Sequence, residues 1–272
     1  MASGSAFRWP LLALSALLCG GLLACAAPDA DESASARAEA IIDQAIAAHG
    51  SDALDHAVVE FDFRDAHFRI RRDGGRFHYQ RTYTDSLGRS VREVLSNDSL
   101  YRAVDGERLS LTEDERSSVE SAVNSVTYFA LLPYYLQDAA VQPEYLGVDT
   151  VAGAPYDQVR VTFRQEGGGR DWQDVFVYWF DPSDHTMDYL AYAYGFGPDE
   201  EYGTRFREAY NARTVNGIRF ADYRNYTSAG DTLRDLTRYS ALMAQDSLEL
   251  VSQVEKDSIR VQLLEPNASP DG

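Results

Sequence analysis

Between residues 112 and 138 the apolar side chains recur every three or four positions, and on both sides of that stretch they recur every two. The chain must therefore pack one long helix against two blocks of strands. In TEDERSSVESAVNSVTYFALLPYYLQD, Thr112 and Glu115 form a capping box, which satisfies amides that a first helical turn leaves open. Val119, Ala122, Val123, Val126 and Ala130 make one apolar stripe, with Glu113, Asp114, Arg116 and Glu120 on the wet side. Pro133 lacks an amide donor, so the helix is expected to kink or restart there, and the break is a candidate hinge. Tyr128, Phe129, Leu131, Leu132, Tyr134 and Tyr135 then either plug a sheet or wall a cavity.

Before this helix, Ile41, Ile42, Ala45 and Ile46 give Ser35 to Ala48 a short amphipathic helix that Gly50 ends. The period then switches. Val59, Phe61 and Phe63 alternate with Glu60, Asp62 and Arg64, and Ala66, Phe68 and Ile70 with His67, Arg69 and Arg71. Asp73-Gly74-Gly75 turns the chain into Phe77, Tyr79 and Tyr83, and three further strands are expected at 90–95, 100–104 and 107–111.

After the helix, strands are expected at 145–151, 156–164, 174–180 and 187–194. The third is apolar on both faces, with Val175, Val177 and Trp179 on one and Phe176, Tyr178 and Phe180 on the other, which requires cover on both sides. Asn216-Gly217 joins residues 205–215 to 218–227 as a tight hairpin, because both residues tolerate positive φ. Strands are also expected at 231–244 and 258–264, while 248–254 is open between helix and strand. The fold class that follows is α+β: a large curved antiparallel sheet of about a dozen strands, with a short amino-terminal helix and a longer helix over its concave face. A sheet that curls without closing leaves one apolar face to be covered, and two helices can leave a cavity beneath them.

The amino terminus reads as a signal. Arg8 precedes an apolar run from Trp9 to Leu23 that ends in Leu22-Leu23-Ala24-Cys25, an ending similar to the bacterial lipobox, where the Cys is lipidated. The run is short for a transmembrane helix. Residues 1–24 are therefore expected to be a signal peptide, Cys25 the lipidation site, 25–35 a flexible tether, 36–265 a single domain and 266–272 a tail. Cys19 falls inside the signal, so the mature domain has no free thiol.

Charge and motifs narrow the chemistry. With 43 acidic against 25 basic residues the surface repels nucleic acid and anionic headgroups. The basic set is Arg throughout except for Lys256, a bias that resembles proteins of salt-loving organisms. The five histidines form no metal-ligand spacing, and neither a nucleophile elbow nor a phosphate loop is present, so no catalytic residue, metal or cofactor is assigned. Gly167-Gly168-Gly169-Arg170-Asp171-Trp172 joins two strands and opens no helix, so it lacks the helix-terminus physics of a phosphate site; Arg170 and Trp172 at its tip are candidate contacts.

The order of helix, six strands, helix and further strands behind a lipobox resembles the half-barrel of the outer-membrane lipoprotein carriers LolA, LolB and LppX. The runs Tyr128-Phe129-Ala130-Leu131-Leu132-Pro133, Tyr178-Trp179-Phe180, Met187-Asp188-Tyr189-Leu190-Ala191-Tyr192, Arg205-Phe206-Arg207-Glu208 and Asn216-Gly217-Ile218-Arg219-Phe220 resemble an uncharacterised bacterial lipoprotein family of unknown function. The resemblance implies an envelope protein, held at the outer membrane by its lipid and facing the periplasm or the cell surface. Tyrosine and its neighbours offer apolar bodies with polar tips, suited to an amphiphile. The expected ligand-binding residues are Tyr128, Phe129, Leu132, Tyr134, Tyr135, Trp172, Phe176, Tyr178, Trp179 and Tyr192. The expected function is non-catalytic binding of a hydrophobic or amphiphilic ligand, as carrier or sensor. Two alternatives stand beside it: an envelope lipoprotein with a packed interior that docks other envelope proteins, and a hydrolase using carboxylates such as Asp171, Asp174, Asp181 or Asp184.

Overall fold

The computed structural model describes Met1 and residues 30–197, 201–229 and 234–265. The rest of the expected signal peptide, Cys25 and the expected tail 266–272 lie outside the described residues. Helix α1 (Ala30–Ala48) begins within the stretch expected to be a tether, because its alanines favour helix well before the apolar stripe begins at Ile41. Strands β1 (His56–Phe63), β2 (Ala66–Asp73), β3 (Arg76–Thr84), β4 (Ser90–Ser96), β5 (Leu100–Val104) and the two-residue β6 (Glu107–Arg108) follow as a meander. Helix α2 (Glu113–Leu131) begins on the Thr112 capping box, with both reciprocal bonds made.

The second half comprises β7 (Val141–Val151), β8 (Ala154–Phe163), β9 (Val175–Phe180), β10 (Met187–Tyr194), β11 (Gly203–Val215), β12 (Ile218–Ser228), α3 (Tyr239–Ala244), β13 (Leu248–Val254) and β14 (Asp257–Leu263). Asn216 and Gly217 both take positive φ, at 48° and 88°, and make the β11–β12 hairpin. Residues 231–244, expected as a strand, instead carry a single 3-10 turn at Leu236–Arg238 and α3 within their described part. Asp235 caps that turn by accepting from the Thr237 amide, and Leu236, Tyr239, Leu242 and Met243 recur at the spacing a helix needs to present one buried face.

The fold is α+β with the antiparallel strands divided into two seven-stranded sheets and not closed into a barrel. The first runs β14-β1-β2-β3-β4-β5-β6 and the second β13-β12-β11-β10-β9-β8-β7. The chain crosses from one to the other at Glu255-Lys256, so the last strand completes the sheet that the first began.

Register explains the two faces. Across the inner face of the first sheet runs the row Phe61, Phe68, Arg81, Glu93, Arg102. Phe61 and Phe68 stack at 5.4 Å, and Glu93, 1% exposed, accepts from Arg81 at 3.2 Å and from Arg102 at 2.7 Å. The outer face is wet, with Arg69 paired to Glu60 and His67 to Asp62. The second sheet is covered on both faces, as the doubly apolar β9 requires. Phe176, Tyr178 and Phe180 pack inward with α1, Leu132 and Leu136, while Val177 and Trp179 pack outward with Phe206, Leu236 and Tyr239. The end of α1 is tied to this sheet: Arg219 N donates to His49 O at 2.8 Å, and a Cβ on Gly50 would stand 2.2 Å from Gly217 O, so only glycine allows the approach.

Candidate functional site

A cavity of about 890 Å³ lies between the inner faces of the two sheets, with one flank of α2 as its wall. Phe61 and Phe63 of β1, Phe77 of β3 and Leu95 of β4 line one side, following the same alternation that carries the inner row of the first sheet. Val126, Tyr128 and Phe129 project from α2. Opposite them stand Phe176 and Tyr192, with Phe129 and Tyr192 centred 4.9 Å apart, Phe176 and Tyr192 5.7 Å, and Tyr128 and Phe176 5.7 Å. These are normal packing distances for offset aromatic rings, so the wall is a preformed apolar surface. Exposed residues form the mouth: Glu120, Asn124 and Ser125 of α2, Arg170 and Asp171 of the β8–β9 loop, and Glu201.

The interior is not uniformly apolar. Cross-strand neighbours Arg207, Asn225 and Ser252, on β11, β12 and β13, make a polar row on the inner face, and Lys256 follows at the sheet crossing. Arg207 is 8% exposed and Lys256 5%. The Arg207 guanidinium lies 3.9 Å from the Phe129 ring centre and donates through Nη2 to Tyr192 Oη at 3.0 Å, while its Nε is buried without a hydrogen-bond partner. Lys256 Nζ donates to Ala221 O at 2.5 Å and sits 5.4 Å from the Tyr223 ring. Burial pushes the Lys256 ammonium down to about 8, with Arg213 and Arg207 adding to the effect and Asp222 opposing it. Among the described residues no group of three or more His, Cys, Asp or Glu side chains is placed to hold a metal ion.

Residues 13–256 match the profile of DUF6503, a family of unknown function. The chain belongs to DUF6503. No curated protein matches this DUF6503 chain. Its architecture is similar to that of a LolA superfamily protein from Nitrosomonas europaea, at 11% identity over 84% of this chain and 93% of that one, with a TM-score of 0.41. It is also similar to the lipoprotein LppX from Mycobacterium tuberculosis, at 13% identity over 59% and 89% with a TM-score of 0.28. A third similar structure is an outer membrane lipoprotein-sorting protein domain from Vibrio parahaemolyticus, at 8% identity over 83% and 93% with a TM-score of 0.38.

Of the ten residues expected to meet a ligand, the DUF6503 fold brings Tyr128, Phe129, Phe176 and Tyr192 to the cavity. The other six are elsewhere. Tyr178 lies fully buried behind the wall, its hydroxyl 3.2 Å from that of Tyr128. Leu132 is packed beneath α1, and Trp179 faces the opposite side of β9, where its Nε1 donates to Asp149 Oδ2 at 2.9 Å. Trp172 sits in the β8–β9 loop with its Cβ against Gly168, and it does not line the cavity. Tyr134 and Tyr135 follow Pro133 in a 3-10 turn, Tyr134–Gln137, that is held fast. Tyr134 Oη donates to Asp55 at 2.5 Å, the Tyr135 and Tyr79 hydroxyls lie 2.9 Å apart, and the Arg72 guanidinium sits 4.6 Å from the Tyr134 ring. The expected hinge is therefore tied by side-chain contacts to Asp55, Tyr79 and Arg72.

Asp171 and Asp174 also line the cavity, whereas Asp181 and Asp184 cap the β9–β10 turn, Asp181 accepting from the Ser183 amide at 2.7 Å and Asp184 from the Thr186 amide at 3.0 Å. Sequence reasoning missed Arg207, Asn225, Lys256 and the phenylalanines of the first sheet. Strand parity held the signal for Arg207: Phe206 is an outward core residue, so its neighbour points into the cavity.

Proposed function

We propose that this DUF6503 protein is a lipid-anchored envelope protein that holds a hydrophobic or amphiphilic ligand in the cavity, as a non-catalytic carrier or sensor. The observation that carries the reading is an aromatic-walled space of about 890 Å³ beneath α2, inside the ~300–1,000 Å³ range of small-molecule sites. An interior filled by its own side chains, which a purely structural lipoprotein would have, leaves no such space. Moving an acyl chain from water onto these rings gains about 25 cal/mol per Å² of apolar area buried. The lipobox-like ending at Cys25 supports anchoring, and the mass of the mature amino terminus tests it: an unmodified start at Ala26 or Ala27 overturns that part.

Protein purified without harsh detergent is expected to carry ligand into native mass spectrometry, and Val126→Glu or Phe129→Asp is expected to abolish retention. Both residues are half-buried on the cavity side of α2 at the edge of the inner clusters, so the loss counts only in variants whose far-UV spectrum and unfolding transition remain native. Charges at Leu132 or Tyr135, which are 5% and 9% exposed, would unfold the protein instead. Protein that is always empty, or retention unchanged in both variants, overturns the reading.

A further inference from the structure

Two buried cations line a cavity walled in part by aromatic rings, in a protein of formal net charge −18. Arg81 and Arg102 share Glu93, and Arg213 grips Asp222 through both terminal nitrogens at 3.0 Å, whereas Arg72, like Arg207, is held by a tyrosine hydroxyl and ring faces, but it packs under the Tyr134–Gln137 turn and does not line the cavity. Arg207 has only a tyrosine hydroxyl, two ring faces and an Nε with nothing to donate to. The carboxylate nearest in role to Lys256 is also committed. Asp222 already accepts from Arg213, from Asn211 Nδ2 at 2.7 Å and from the Lys256 backbone amide at 3.0 Å, which leaves the ammonium only the carbonyl of Ala221. Buried charge without a paired carboxylate is costly, and among the described residues neither Arg207 nor the Lys256 ammonium has an ion-pair partner of its own.

We propose that Arg207 and Lys256 hold the anionic end of an amphiphile, its carboxylate or phosphate oxygens placed between them and its apolar chain laid along Phe129, Phe176 and Tyr192. The inference rests on the cavity being a ligand site and adds the polarity and orientation of the ligand: charge inward at the sheet crossing, chain against the rings. The planar guanidinium has terminal N–H donors beyond the one given to Tyr192, and the ammonium supplies a second positive charge. The carboxylates that line the cavity, Glu120, Asp171, Asp174 and Glu201, lie on α2 and the connecting loops rather than in the polar row.

The test compares three probes on the full mature chain: a long-chain fatty acid, the primary alcohol of the same chain length, and inorganic phosphate. The acid is expected to bind about tenfold or more tightly than the alcohol, as charge-assisted hydrogen bonds require. Arg207→Met and, separately, Lys256→Met are each expected to bring the acid-to-alcohol ratio toward one. Equal affinity of the wild-type protein for acid and alcohol, or a ratio unchanged in both variants, overturns the inference while leaving the cavity a lipid site. Binding of neither acid nor alcohol overturns the cavity reading itself. Phosphate alone bound as tightly as the acid overturns the amphiphile and makes the pair a free-anion site.

Discussion

At the end of α1, His49 is 2% exposed, its Nε2 accepts from the Met187 amide at 3.1 Å, and its Nδ1 has no partner. Burial, with Arg219 adding and Asp184 opposing, lowers this imidazole to about 4. The folded protein therefore refuses a proton that the unfolded chain, with an ordinary histidine near 6.5, accepts. The contribution is complete above about pH 6.5 and is lost as pH falls toward 4, amounting to about 3 kcal/mol. His49→Gln keeps an acceptor for Met187 and is expected to flatten the fall in denaturant midpoint over that window; identical profiles for the two proteins would refute it. At this scale the sequence spoke only in part. Alternation placed Tyr178 and Trp179 on opposite faces of β9 and could not say which face held the cavity, because both are apolar and the deciding contacts come from α1 and α3, far away in the chain. Arg207 was hidden for a similar reason: a charged residue on a strand reads as solvent-facing until its neighbour is known to be core.

Helix α2 is the element on which the site depends, since one flank of it forms the cavity wall and the other rests on β3, β4 and β5. Its first turn is held by Thr112 accepting from the Glu115 amide and by Glu115 accepting from the Thr112 amide at 2.9 Å. Thr112→Ala is expected to lower stability by about 1 kcal/mol in chemical denaturation. No change would mean that the turn is fixed by packing alone. The capping box, the Asn216-Gly217 hairpin and the two-faced β9 were all legible because each is a local instruction with a local physical cause. In the described part of 231–244, residues 234–244, the strand expectation failed because two periods compete in a short stretch, and the Asp235 cap with the Leu236–Tyr239 spacing decides for helix. The break at Pro133 was legible too, but not its anchoring, which comes from Asp55, Arg72 and Tyr79 on the other side of the helix layer.

For the whole molecule, the division into two sheets could not be read from the strands themselves, since nothing in 257–263 says that its partner is β1 rather than β13. Yet the pairing is extensive: Ala57 stands opposite Leu263, Val59 opposite Val261 and Glu60 opposite Arg260. A chain ending after Lys256 is expected to leave the edge of β1 open, to aggregate on refolding and to lose a single cooperative transition; clean two-state unfolding of that truncation would show β14 to be dispensable. The same pairing sets a schedule. Synthesis begins at the amino end, so β1 emerges early and must wait, paired only with β2, until nearly the entire chain has followed. Such distant partners make closure slow, and Lys256, which follows β13, reaches the cavity only after every other residue that lines it has been made.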